Sequence, residues 1–253
     1  MTWIILFVLG AFVGLLAGLF GIGGGLILVP ALSFFLPQLG LASNEQALAI
    51  AIATTLTSVA VTGSAAAITH ARSGQVDWLS VKKLAFGLSV GAACGALLTH
   101  YLPITLLGII FGVIEIIIAL QMLWGKYPDR VNTVVSPIAS SVFAYFSGLL
   151  SALIGIGGGT MNTPWLMWQG LSLPVAIATS SVLGVIIALA GTATHLGSDL
   201  IQWSTLFILV SASLVTAPIG ATLTHRLPIK TLKRAFSLLI FVLGIVMLVK
   251  FLA

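Results

Sequence analysis

Between Met1 and Ala71 the chain carries a single charged residue, Glu45. Charge-free apolar stretches follow one another through this half: Thr2–Asn44, Gln46–Ala71, Leu84–Ile114 and Ile116–Gly125. A membrane span needs about 20 apolar residues, so these stretches are spans or parts of spans. Over the whole chain 59% of residues are hydrophobic and 6% charged, against about 25% charged in an ordinary soluble domain. In hydrocarbon every backbone N–H and C=O must find a partner inside the protein, and a helix supplies those partners within one segment. The expected class is an all-α polytopic membrane protein.

Several other classes are set aside on the same evidence. The first Lys or Arg is Arg72, so the basic n-region of a cleaved signal peptide is missing and the first segment reads as a retained span. The ten basic residues are scattered at segment ends rather than clustered as nucleic-acid binding requires. Cys94 stands alone among Gly and Ala, which excludes an internal disulfide and reads as helix packing. No H-E-x-x-H, Cys/His cluster or paired carboxylates occur, so no enzyme, metal or cofactor is expected.

The chain contains an internal repeat. Gly95-Ala96-Leu97-Leu98-Thr99-His100-Tyr101-Leu102-Pro103-Ile104 returns as Gly220-Ala221-Thr222-Leu223-Thr224-His225-Arg226-Leu227-Pro228-Ile229, with eight of ten positions identical at an offset of 125. The same offset pairs Ala51–Thr54 with Ala176–Thr179, His70 with His195, and Trp78 with Trp203. Nearer the start of each half, Gly21-Ile22-Gly23-Gly24-Gly25 with Pro30 matches Gly155-Ile156-Gly157-Gly158-Gly159 with Pro164 at an offset of 134. The first half therefore holds nine extra residues, expected around Pro37–Gln46. Residues 1–125 read as an N-terminal repeat, 126–133 as a linker and 134–253 as a C-terminal repeat. Each repeat reads as a Gly-broken segment followed by three helices, at about 47–70, 80–101 and 103–123 in the first half and 173–196, 202–225 and 229–252 in the second.

Lys and Arg concentrate in cytoplasmic loops, and their distribution relates the halves. If every segment crossed once, the basic residues would divide 6 to 4 between the two sides. If each Gly-broken segment instead enters and returns on one side, the halves are inverted and the division becomes 9 to 1, with Lys250 alone outside. The inverted arrangement is expected: two inverted repeats, each a Gly-broken re-entrant helix pair plus three transmembrane helices. It places the protein in a cell inner membrane with both termini periplasmic and the linker, with Lys126 and Arg130, cytoplasmic.

Inverted repeats with discontinuous helices are a transporter signature, because a half-helix N-terminus turns free N–H groups toward an anion. The candidate substrate-binding residues are Gly21, Gly23, Gly24 and Gly25 with Gly155, Gly157, Gly158 and Gly159. To these are added the polar residues Thr54, Thr55, Thr179, Ser180, Ser181 and Asn162 beside the breaks. The competing reading for the glycines is helix packing, as for the small-residue stripe Gly10, Gly14, Gly18. The hydroxyls can equally bond back to their own helix. His70, His195 and Glu115 are candidates for proton relay or gating, with anchoring and helix–helix hydrogen bonding as the plainer uses. His100 and His225 flank Leu-Pro corners. The expected function is carriage of a small anion across the bilayer. An anion channel built from the same broken helices is the alternative, and a homodimer is compatible with either.

The doubled motif Gly18–Pro30 and Gly155–Pro164, with the Ala-Thr-Ser/Thr runs after each, resembles the TauE/SafE family of sulfite exporters over essentially the whole chain. The resemblance implies a substrate among sulfite, sulfonates and related organosulfur anions. No Lys or Arg lies in the middle of any expected span, so amide N–H groups and hydroxyls would have to hold it.

Overall fold

The computed structural model describes residues 2–21, 23–124, 136–224 and 226–252. Ile22, His225 and the linker with Lys126 and Arg130 lie outside the described residues. The described chain is helical: α1 (Thr2–Phe20), α2 (Gly25–Gln38), α3 (Ala47–Arg72), α4 (Trp78–Leu98), α5 (Ile104–Trp124), α6 (Pro137–Leu153), α7 (Gly159–Trp168), α8 (Leu173–His195), α9 (Trp203–Thr224) and α10 (Ile229–Leu252). Seven of these, α1, α3, α4, α5, α8, α9 and α10, are long and apolar enough to cross a membrane. At about 1.5 Å per residue the 14-residue α2 and the 10-residue α7 reach only about 21 and 15 Å, short of a bilayer core of about 30 Å. The extra residues of the first half are taken up by the longer α2 and by a longer segment before α3, 39–46 against 169–172.

Small residues set which helices touch. Gly10, Gly14 and Gly18 of α1 meet Leu209, Ser213 and Ala217 of α9 in the same order, so the two helices run in one direction. Gly87, Gly91 and Gly95 of α4 meet Ala144, Tyr145 and Leu149 of α6 in the same way. A side chain at any of these six positions would enter the neighbouring helix, and backbones approach this closely only through small residues. The packing reading of the Gly10, Gly14, Gly18 stripe is therefore what the structure shows.

Two further helix pairs run antiparallel. Gly63 and Leu56 of α3 face Val185 and Gly191 of α8, while Gly108 and Gly112 of α5 face Phe251 and Leu248 of α10. On α3 and α9 the Thr62 hydroxyl meets Ser213 at 2.7 Å and Thr54 meets Gln202 at 2.9 Å, so these helices are parallel. Helices α1, α3 and α9 thus point one way and α8 the other. The Thr179–Asp77 contact at the start of α8 and of α4 aligns α4 and α6 with α8.

Two ends of the bundle follow. At one end the Gly18 carbonyl accepts from Thr224 at 3.4 Å and faces His70 Nε2 at 3.1 Å. That contact brings Arg72 and Arg226, each two residues further on, to the same end. Lys82 and Lys83 in the first turns of α4, and Lys230, Lys233 and Arg234 at the start of α10, share it. Lys250 lies at the other end, where its ammonium donates to the Ser33 carbonyl at 2.7 Å and hydroxyl at 3.0 Å. That end also holds the rings of His100 and His195, their centroids 5.1 Å apart and the planes tilted by 47°.

Candidate functional site

Each break is a left-handed glycine cap. Gly24, before α2, has φ 86°, and Gly158, before α7, has φ 80°; an L side chain at such an angle costs roughly 1–2 kcal/mol. The breaks meet: a Cβ on Gly25 would run into the Gly155 carbonyl and stand 2.7 Å from the Ile156 carbonyl carbon. They also dock on equivalent places, since Gly21 lies on Ile177 of α8 and Gly155 on Ile52 of α3. The first helical bonds run from Leu28 N–H to Gly24 O at 3.0 Å and from Asn162 N–H to Gly158 O at 2.9 Å. At the start of α2 the Ile27 N–H also reaches Gly24 O, at 3.2 Å; the other N–H groups that precede these bonds have no acceptor within the helix.

The hydroxyls expected to line the site divide into three groups. Thr54 accepts the Gln202 N–H at 2.9 Å and Thr179 accepts the Asp77 N–H at 2.9 Å. These two are repeat-related clamps that fix the segments leading into α9 and α4. Asp77 in turn caps α4 by accepting the Ser80 N–H at 3.3 Å. Ser180 is held instead by Thr163 at 3.0 Å. Thr55 and Ser181 are buried with hydroxyls that make no hydrogen bond, an arrangement uncommon for buried polar groups.

Asn162 is wholly buried. Its Oδ1 accepts from Ser147 at 2.9 Å, while its Nδ2 has no partner and lies over Gly158, 2.9 Å from where a Cβ would stand. Thr160, in the first turn of α7, also has an unpartnered hydroxyl. It lies beside Glu115 but outside hydrogen-bond geometry. Glu115 itself is 0% exposed on α5 with neither carboxyl oxygen bonded. Next to this group a cavity of about 100 Å³ is lined by Ile118, Gln121, Phe143, Met161, Trp165 and Trp168. Trp165 stacks on Phe143 at 4.0 Å, and its ring N–H is unpartnered.

The structure brings together the two glycine breaks, Asn162, Ser180 and, through Thr160, Glu115. It does not bring together the two histidines, which sit at opposite ends of the bundle. Ser147, Thr160 and Thr163 were missed as site residues. Each replaces an apolar residue of the first half, Val13, Leu26 and Val29, and a residue-by-residue subtraction of the repeats would have found them.

The family model for the sulfite exporter TauE/SafE matches residues 6–247. A Haemophilus influenzae protein named "Probable membrane transporter protein" is 31% identical over 98% of this chain and 99% of the relative. A Bacillus subtilis protein of the same description is 25% identical over 96% of both chains, and one from Methanocaldococcus jannaschii is 23% identical over 96% of this chain and 94% of the relative. No solved structure shows a significant match.

Proposed function

The chain belongs to the sulfite exporter TauE/SafE family, and on that premise we propose that it is a secondary transporter of a small sulfur oxyanion, sulfite or a related organosulfur anion. The anion binds where the two glycine breaks meet, and its movement is coupled to protons. The observation that carries the reading is the contact of the two breaks, Gly25 against Gly155 and Ile156. Two helix N-termini open beside one another in a region where lipid offers no acceptor for their N–H groups.

Residues 1–125 and 134–253 act in this reading as inverted repeats related by an axis in the membrane plane. The opposite directions of α3 and α8, and of α5 and α10, support it. So does the path of α1 and α2: α1 runs parallel to α3, so α2 must lead back to the end where α1 began. The gathering of Arg72, Lys82, Lys83 and Arg226 at one end makes that end the cytoplasmic face of an inner membrane and both termini periplasmic. Anion contacts come from the break amides, Asn162, Ser180, Thr55 and Ser181, while Thr54 and Thr179 hold the loops. Glu115, buried and unbonded, is the coupling carboxyl; His70 and His195 gate from opposite faces.

The test is flux of radiolabelled sulfite in proteoliposomes under an imposed pH gradient, with sulfate, thiosulfate and sulfonates as competitors. Saturable flux that follows the pH gradient supports the carrier. Non-saturating flux indifferent to the gradient would make the same broken helices a channel.

A further inference from the structure

The two breaks have the same shape but different chemistry. Aligned at the offset of 134, Ser147, Ser151, Thr160, Asn162 and Thr163 of α6 and α7 stand opposite Val13, Ala17, Leu26, Leu28 and Val29 of α1 and α2. Every one of these ten residues is buried. In the second half the polar residues form a connected group: Ser147 donates to Asn162, Ser151 to the Met161 sulfur at 3.8 Å, and Thr163 to Ser180. The first half has nothing but hydrocarbon at the matched places.

Burying a polar group without a partner costs free energy, and the second half leaves two such groups at one helix start: the Thr160 hydroxyl and the Asn162 amide nitrogen. The Ser147 bond holds Asn162 Oδ1 away from the break, which leaves Nδ2 over Gly158. Both unpartnered groups are donors at the end of α7 that also presents free backbone N–H groups and the positive end of the helix dipole. Donors at one helix start with no cation among them suit a compact oxyanion.

We propose that the transporter has one anion site, and that it is asymmetric: the start of α7, with Thr160 and Asn162 as its side-chain donors, holds the oxyanion, and the start of α2 is an apolar wall against which that site closes. The inference rests on the anion-transport reading above and refines it from the junction of two breaks to one of them. An apolar wall on one side removes water without competing for the anion, which strengthens each hydrogen bond on the other. It also leaves the α2 break its own role, since its glycines are required by the contact with Gly155 whether or not they touch substrate.

The experiment removes the two side-chain donors of α7, giving position 162 the leucine that α2 carries at the matched place. Sulfite affinity is measured from the concentration dependence of flux in proteoliposomes for Asn162→Leu, Thr160→Val and the α2 variant Leu36→Met, with monodispersity and thermal unfolding in detergent as the folding check. Loss of one hydrogen bond to a charged group corresponds to roughly a tenfold weakening. Asn162→Leu and Thr160→Val are expected to weaken sulfite by at least that order; Thr160→Val should unfold no earlier than the parent, because it removes an unpaired buried donor, whereas Asn162→Leu also leaves the Ser147 hydroxyl without its acceptor and should unfold earlier. Leu36→Met, a volume-conserving exchange at the far end of α2 and away from the wall, is expected to stay within twofold. Thr160→Val is isosteric and keeps the test decisive if Asn162→Leu does not fold. Parental affinity in both α7 variants, or an equal loss in Leu36→Met, would overturn the asymmetric site while leaving transport intact. Absence of saturable flux in the parent protein would instead remove the transport reading on which it stands.

Discussion

A glycine cap packed inside the bundle should behave differently from a glycine cap at the surface, and this protein contains both. Gly158 has φ +80° and a Cβ there would stand 2.9 Å from Asn162 Nδ2 and collide with the end of Ile187. Gly40 has φ +67° with nothing within 4 Å. Gly40→Ala therefore isolates the left-handed backbone penalty, about 1–2 kcal/mol. Gly158→Ala adds overpacking of about 1–3 kcal/mol, so its total is about 2–5 kcal/mol. Equilibrium unfolding in detergent by circular dichroism measures the difference, and sulfite flux in proteoliposomes measures its consequence. Gly40→Ala should transport like the parent, whereas Gly158→Ala, even where it remains folded, should lose most of its affinity because Asn162 Nδ2 is displaced. The reasoning is refuted if the two variants are destabilised equally and Gly158→Ala transports with parental affinity.

In a Cys94→Ala background, cysteines at 72 and 226 should label from the same face of the membrane, and labelling from opposite faces would restore parallel halves. Thr54→Val and Thr179→Val should each lower stability by about 1–3 kcal/mol, the cost of orphaning the N–H of Gln202 or Asp77. Their sulfite affinity should stay unchanged, and a selective loss of affinity at normal stability would return them to the substrate site. Glu115→Gln should uncouple uptake from an imposed pH gradient without lowering the unfolding temperature, and retained coupling would pass the role to the histidines. In that case His70→Gln and His195→Gln should alter the pH profile of flux, and unchanged profiles would leave both as anchors.

The order of elements was legible because hydrocarbon leaves a chain few options. Two Gly runs in corresponding positions gave the two breaks, and the charge-free stretches gave the long helices within a few residues. The fourth helix, expected over 80–101, starts at Trp78 because Asp77 caps it, and stops at Leu98 because Thr99–Leu102 turns into Pro103. The roles of Thr54 and Thr179 were not legible. Their partners lie 148 and 102 residues away, and no local pattern separates a hydroxyl that clamps a distant loop from one that faces a ligand. The contact of His195 with His100 is hidden for the same reason, since the repeat pairs His195 with His70. Asn162 was visible as a lone amide after the second Gly run. Its neighbours Ser147, Thr160 and Thr163 look like ordinary membrane hydroxyls until the two halves are laid over one another.

The pairing of α1 with α9 and of α4 with α6 fixes an order of events during synthesis. Gly18 finds its seat on Ala217, which a ribosome adding about 5–20 residues per second reaches on the order of 10–40 s later. Throughout that interval the groove of Gly10, Gly14 and Gly18 faces lipid or a chaperone rather than α9. The first half can enter the bilayer as it is made, but its first helix waits for α9, and the gap beside α1 closes only after α9 has been made.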